Sequence, residues 1–66
     1  MGSKLKKIRE EKNMTQEELE KKSGVSRQTI SAIENNDEYQ PKVGTLMAIA
    51  KALETTVDSI FFEKAV

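Results

Sequence analysis

The sequence predicts an all-α domain built from five short helices, and three observations support this fold class. Apolar residues recur three and four positions apart in five separate segments, which is the spacing that lines one face of a helix. Serine or threonine stands just before most of these segments, as expected of helix N-caps. The 66 residues contain no repeat, no low-complexity segment and no long linker. We therefore expect residues 1–66 to form a single domain.

The first helix is predicted over residues 4–12. Leu5 and Ile8 are the apolar pair that defines its buried face, and Ser3 is a candidate cap. Asn13 follows the helix and is expected to take the left-handed conformation, which its short polar side chain tolerates. The chain therefore turns at this asparagine toward the second helix.

Residues 15–34 have the layout of a helix-turn-helix, with two short helical patterns separated by Gly24. Thr15 and Glu18 form a predicted capping box, in which each side chain bonds the other residue's backbone N–H. Leu19 begins the buried face of this second helix. Gly24 ends the helix, because glycine adopts the left-handed conformation at little cost.

The third helix begins after Ser26, which is its candidate N-cap. At about 100° per residue, Ile30 and Ile33 fall on one side of the helix and define its buried face. The opposite side carries polar or small residues, namely Arg27, Gln28, Ser31 and Ala32. The third helix is therefore expected to present a polar surface outward.

A loop and two further helices complete the predicted fold. Residues 35–41 have turn chemistry and end in a proline. A fourth helix over residues 43–53 follows from one apolar stripe, formed by Leu46, Ile49, Ala50 and Leu53. The fifth, short helix begins after a cap at either Thr55 or Thr56, and its inward residues are Val57, Ile60 and Phe61.

Composition restricts the functions open to the chain. Cysteine and histidine are absent, so a metal site would have only carboxylates and an enzyme would lack the most common bases and nucleophiles. We expect no metal, no cofactor and no catalysis. The longest apolar run, residues 46–50, is far shorter than the roughly 20 residues of a membrane helix, and no signal-peptide pattern opens the chain. A cytoplasmic protein without membrane contact is expected.

The formal net charge is zero, but its distribution is uneven. Residues 1–33 hold eight Lys/Arg and five Asp/Glu, and residues 34–66 hold three and six, so the two halves carry charges of +3 and −3. Overall neutrality argues against a protein that holds a polyanion by bulk charge alone. Any phosphate contacts are therefore expected to be few.

Three segments, residues 15–19, 24–30 and 33–35, resemble the phage repressor and Cro (Xre) family of helix-turn-helix DNA-binding proteins, and the likeness extends from Leu5 to Phe61. It implies a compact five-helix, lambda-repressor-like domain whose third helix enters the DNA major groove. The residues that it places at base edges are Arg27, Gln28 and Ala32. Their chemistry fits, since arginine can bond guanine, glutamine can bond adenine, and an alanine methyl can touch thymine.

The resemblance also implies contacts to the DNA backbone and a structural ion pair. The backbone contacts carried over by position fall on Gln16, Asn35 and Lys42. The hydroxyls of Ser26, Thr29 and Ser31 are candidates for further backbone contacts. The ion pair joins Arg9 in helix one to Glu34 in helix three. Glu20 departs from the family pattern, which usually has alanine there, so we expect a looser crossing of helices two and three or a cationic partner for this carboxylate.

The leading hypothesis is a sequence-specific regulator of transcription that binds double-stranded DNA, acting as a repressor and a homodimer on a palindromic operator. A single short helix makes few base contacts, which favours the use of two copies. Phe62 and Val66 are candidate dimer contacts, although one exposed aromatic side chain needs no special explanation.

The alternative hypothesis is a protein-interaction module, such as an antitoxin or immunity component, for which DNA binding is secondary. Tyr39, Phe62 and the acidic C-terminal half of the chain motivate this alternative. Activation, through an acidic patch near Asp37 and Glu38 that touches polymerase, is the alternative to repression.

Overall fold

The computed structural model describes residues 3–61, and within this range the chain forms five α-helices and no strand. The helices are α1 (Leu5–Glu11), α2 (Gln16–Ser23), α3 (Arg27–Asn35), α4 (Val43–Ala52) and α5 (Val57–Phe61). The predicted all-α fold is confirmed. Phe62 and Val66, the candidate dimer contacts, lie outside the described residues.

One hydrophobic core joins all five helices. Helix α2 packs against α3 and α4, α1 packs against α3 and α5, and α4 also contacts α5. The buried apolar side chains are those of Leu5, Leu19, Ile30, Ile33, Leu46, Ile49, Ala50, Leu53, Ile60 and Phe61. All ten belong to the predicted apolar stripes, and Ile8 and Val57 from the same stripes are half-buried against them.

The predicted capping box at the start of α2 is confirmed. The Thr15 hydroxyl accepts the Glu18 N–H at 3.1 Å, and the Glu18 carboxylate accepts the Thr15 N–H at 2.9 Å. The pKa of the Glu18 carboxyl is lowered from its ordinary value, mainly because the charged form accepts the backbone N–H of Thr15, and the Thr15 side chain acts in the same direction. This carboxylate therefore supports the start of α2 in its ionised form.

The structure tests two other capping predictions. It chooses between the two candidates for α5 and shows that the candidate for α1 was wrong. Thr56, and not Thr55, caps α5, since its hydroxyl accepts the Ser59 N–H at 3.2 Å. Ser3 does not cap α1: the residue at the N-cap is Lys4, which has no side-chain capping bond. The Ser3 hydroxyl instead donates to the backbone carbonyl of Ile33 at 3.2 Å, so it ties the start of the chain to α3.

Two helices end in the same Schellman arrangement, and the sequence indicated only one of them. Asn13 has the predicted left-handed conformation, with φ of 55°. Glu54 has the same φ of 55° after α4, where its N–H bonds the Lys51 carbonyl at 3.1 Å and the next N–H bonds the Ala50 carbonyl at 3.0 Å. Glutamate has no side-chain preference for this conformation, so Glu54 carries backbone strain.

Replacing Glu54 by glycine is expected to raise the free energy of unfolding by up to about 1 kcal/mol, because relief of the left-handed strain exceeds the extra entropy of the unfolded chain. The matched control is Lys51→Gly, an exposed position inside α4, which should cost about 1 kcal/mol. Urea denaturation followed by circular dichroism measures both. Equal destabilisation by the two glycines would contradict the strain at Glu54.

Candidate nucleic-acid interface

The first turn of α3 is the most exposed part of the predicted recognition surface. Arg27 and Gln28 are exposed, whereas Ser31 and Ala32 are half-buried on the same side of the helix. Ile30 and Ile33 point inward and are at most 3% exposed. The structure therefore brings together Arg27, Gln28 and Ala32 as expected from helical spacing, with the two long side chains projecting from the start of the helix.

The start of α3 is held by side chains from both sides. The Ser26 hydroxyl accepts the Thr29 N–H at 3.2 Å, which confirms the predicted N-cap. The Glu20 carboxylate of α2 accepts the Arg27 N–H at 2.9 Å. A looser helix crossing or a cationic partner was expected for Glu20, and among the described residues the hydrogen bond to this carboxylate comes instead from the backbone of α3.

The ion pair between Arg9 and Glu34 is present and shielded from solvent. Arg9 Nε lies 2.8 Å from Glu34 Oε2, and Arg9 Nη2 lies 3.1 Å from Oε1, so the guanidinium engages both carboxylate oxygens. The side chains are only 11% and 1% exposed, respectively. The hydrogen bonds to Glu34 raise the pKa of Arg9 above its ordinary value, against the opposing effect of burial.

Two further bonds extend this pair into a network across the first three helices. Arg9 Nη1 donates to the Met14 carbonyl at 2.7 Å, in the turn between α1 and α2. Gln16 Nε2, from the first residue of α2, donates to Glu34 Oε1 at 3.1 Å. Gln16 was predicted only as a contact to the DNA backbone, and its role in the network was missed, because no local sequence signal links residues 18 positions apart.

Four of the remaining predicted backbone contacts, Ser26, Thr29, Ser31 and Asn35, form local hydrogen bonds. The Ser26 hydroxyl donates to Thr29 Oγ1 at 2.9 Å. The Asn35 amide donates to the carbonyl and the hydroxyl oxygen of Ser31, at 3.0 and 3.2 Å. Since the hydroxyls of Thr29 and Ser31 are acceptors in these bonds, their own hydrogens remain available to an incoming acceptor.

The loop between α3 and α4 is folded back on the domain. The Asn36 side chain accepts the Glu38 N–H at 3.0 Å, and the Asn36 carbonyl accepts the Tyr39 N–H at 3.0 Å. Tyr39 is half-buried and packs against the core. Lys42 is exposed at the N-cap of α4, so the loop delivers a cation to the start of that helix.

Two adjacent helices, with the second fixed at its start and exposing a polar face, define a helix-turn-helix domain of the DNA-binding class. The family model described as helix-turn-helix matches residues 5–60. The chain therefore belongs to the phage repressor and Cro (Xre) type of helix-turn-helix transcriptional regulators. This is a family of DNA-binding regulators and not of enzymes. None of the described helices has the length and apolar character needed to cross a membrane.

Relatives with regulatory names match almost the whole chain. An HTH-type transcriptional regulator of Methanocaldococcus jannaschii is 48% identical over 92% of this chain and 91% of its own length. The immunity repressor protein of Bacillus phage phi105 is 39% identical over 97% of this chain and 44% of its own length. The transcriptional regulator SinR of Bacillus subtilis is 31% identical over 97% of this chain and 58% of its own length. The chain thus spans about half of the last two relatives.

Replacing Glu34 by alanine is expected to lower the free energy of unfolding by about 3–5 kcal/mol, since it leaves the shielded Arg9 charge without its partner. Glu34→Gln, which retains an oxygen acceptor, should lose less. Glu11→Ala is the control, because Glu11 is exposed at the end of α1, and it should stay within about 0.5 kcal/mol of the parent protein. The measurement is urea denaturation, and a loss below about 1 kcal/mol for Glu34→Ala would exclude a structural role for the pair.

Proposed function

We propose that this protein binds double-stranded DNA sequence-specifically in the cytoplasm and represses transcription as a homodimer on a palindromic operator. The observation that carries the proposal is the exposed Arg27–Gln28 pair on a helix start held by two side-chain caps. Caps fix the direction in which these side chains leave the helix. Such fixed direction is what base recognition requires, because the donors must match the pattern of a base edge.

The base-reading residues in this proposal are Arg27, Gln28 and Ala32. The guanidinium of Arg27 has no hydrogen-bonding partner among residues 3–61 and is free to bond guanine O6 and N7. Gln28 offers a donor and an acceptor that match adenine N6 and N7. Ala32, one turn further along and half-buried, is suited to a methyl contact with thymine.

Donors that are not used in the local hydrogen bonds are proposed to bond phosphate oxygens. One N–H of the Gln16 amide bonds Glu34, and its second N–H, at the start of α2, is free for a phosphate oxygen. The hydroxyls of Thr29 and Ser31 and the exposed ammonium of Lys42 supply further donors. Ser26 and Asn35 hold these hydroxyls in place and complete the proposed backbone surface.

The size of the domain and two exposed apolar side chains support the proposed dimerisation. The domain measures 33 Å along its longest axis, so two copies can lie side by side on half-sites about 34–36 Å apart. Val43 and Met47, one turn apart on α4, are 70% and 60% exposed and add apolar surface near Lys42 for a second copy. Phe62 and Val66 remain proposed dimer contacts.

Repression is the simplest mode of action for such a domain, and two observations favour it over the alternatives. A relative matched along 97% of this chain is named an immunity repressor. Tyr39, one of the residues that motivated a protein-interaction module, is half-buried against the core, so only part of its side chain is open to a partner protein.

Selection of bound duplexes from random DNA tests the proposed function directly. The expected result is an enriched palindrome with half-site centres one helical turn apart, about 34–36 Å. Sedimentation of the protein with that duplex should give two protein chains per duplex. Enrichment of no sequence would overturn sequence-specific binding, and one chain per duplex would overturn the dimer.

Gln28→Ala and Gln16→Ala should weaken binding in different ways. Loss of Gln28 is expected to remove about 1–3 kcal/mol of discrimination at particular base pairs. Loss of Gln16 should weaken all duplexes alike and, because its amide carries no charge and releases no counterion, leave the dependence of log affinity on log salt nearly unchanged. Affinities for the selected duplex and its single-base variants, measured across salt concentrations, separate the two effects. If Gln28→Ala leaves the base preferences unchanged, the proposed placement of α3, with Gln28 at a base edge, is excluded.

A further inference from the structure

Among the carboxylates of the described residues, only that of Glu20 accepts a hydrogen bond from the backbone of α3. The bond lies at the start of α3, the helix that is proposed to bind DNA. Glu20 Oε2 accepts the Arg27 N–H at 2.9 Å, and the residue is half-buried between α2 and α3. The first N–H groups of a helix have no partner inside the helix. Glu20 therefore accepts a hydrogen bond from an N–H group that could otherwise bond a phosphate.

We propose that Glu20 is a positioning residue with two separable effects on DNA binding: its hydrogen bond orients Arg27, and its charge restrains sequence-independent attachment. This inference rests on the proposed function. The bond acts on Arg27 because this is the first residue of α3, where backbone direction sets the direction of the side chain. Ser26 caps the N–H of Thr29, two residues further on, so it does not replace the bond to Arg27.

The charge of Glu20 acts on every duplex in the same way. A carboxylate next to the start of α3 offsets the positive end of the helix dipole and repels phosphates. Residues 1–33, which include Glu20, hold eight Lys/Arg and five Asp/Glu, so the charge of Glu20 offsets part of a small positive excess. The carboxylate thus keeps binding to arbitrary DNA weak, while its hydrogen bond serves recognition of the right sequence.

Two variants separate these effects. Glu20→Gln keeps an oxygen that can accept the Arg27 N–H but removes the charge. Glu20→Ala removes both. Asp58→Asn is the matched control, since it changes the net charge equally on α5, a helix that packs against α1 and α4. Thermal unfolding followed by circular dichroism verifies that each variant is folded at the temperature of the binding assay.

The probes are the duplex selected by the parent protein, the same duplex with the base pair read by Arg27 replaced, and a scrambled duplex of equal composition. The base pair is identified as the one at which Arg27→Ala loses discrimination. Glu20→Ala should reduce discrimination at this base pair about three- to tenfold, a fraction of what one bidentate contact supplies. Glu20→Gln should keep it within about twofold of the parent protein.

On the scrambled duplex, both Glu20 variants should bind about two- to sixfold more tightly than Asp58→Asn, the scale expected for one unit charge at roughly 8 Å in a high-dielectric solvent. If Glu20→Ala discriminates at the base pair read by Arg27 as strongly as the parent protein does, the positioning effect is overturned. Equal scrambled-duplex affinities for Glu20→Gln and Asp58→Asn would overturn the charge effect. If the parent protein selects no sequence, the proposed function fails and the inference fails with it. If the parent protein selects a sequence but the Glu20 variants bind all three duplexes as the parent protein does, only the inference fails.

Discussion

The shielded pair of Arg9 and Glu34 is the interaction on which the arrangement of the first three helices depends. Arg9 comes from α1 and Glu34 from the last turn of α3, and their bidentate contact joins elements that are 25 positions apart. Bonds to the Met14 carbonyl and from the Gln16 amide bring the start of α2 into the same network. Because both charged side chains are almost fully covered, displacement of any one of these helices would expose or strand a charge.

This network also holds the proposed phosphate contact at the start of α2 in a fixed relation to α3, the helix proposed to read the bases. Gln16 bonds the carboxylate of a residue on α3, so its second amide hydrogen cannot move independently of that helix. Glu20 does the same in the opposite direction, from α2 to the start of α3. Helices α2 and α3 are therefore joined near both ends by polar bonds, while Leu19, Ile30 and Ile33 fill the space between them.

Local sequence signals predicted the parts of the fold that depend on local interactions. The capping box of α2, the Ser26 cap and the left-handed Asn13 need only residues within a few positions of one another, and the apolar stripes needed only helical periodicity. Glu54 was missed because its left-handed backbone is imposed by the end of α4 and not by its own side chain. The bonds of Glu20 and Gln16 were missed because they depend on how helices pack, and the Arg9–Glu34 pair was indicated only by family resemblance.

Because the chain has no net charge, the proposed function depends on polar groups that are held in place before DNA binds. A strongly basic protein gains affinity for any duplex from counterion release, whatever the direction of its side chains. A chain with equal numbers of acidic and basic residues has little of that general attraction, so its affinity must come from individually directed donors. Directed donors contribute more when the backbone that carries them is held in place before binding, since each group ordered on association reduces the gain. The caps at Ser26 and Glu20 and the fixed amide of Gln16 meet that requirement, and they do so with polar groups that a core of ten apolar side chains could not itself supply.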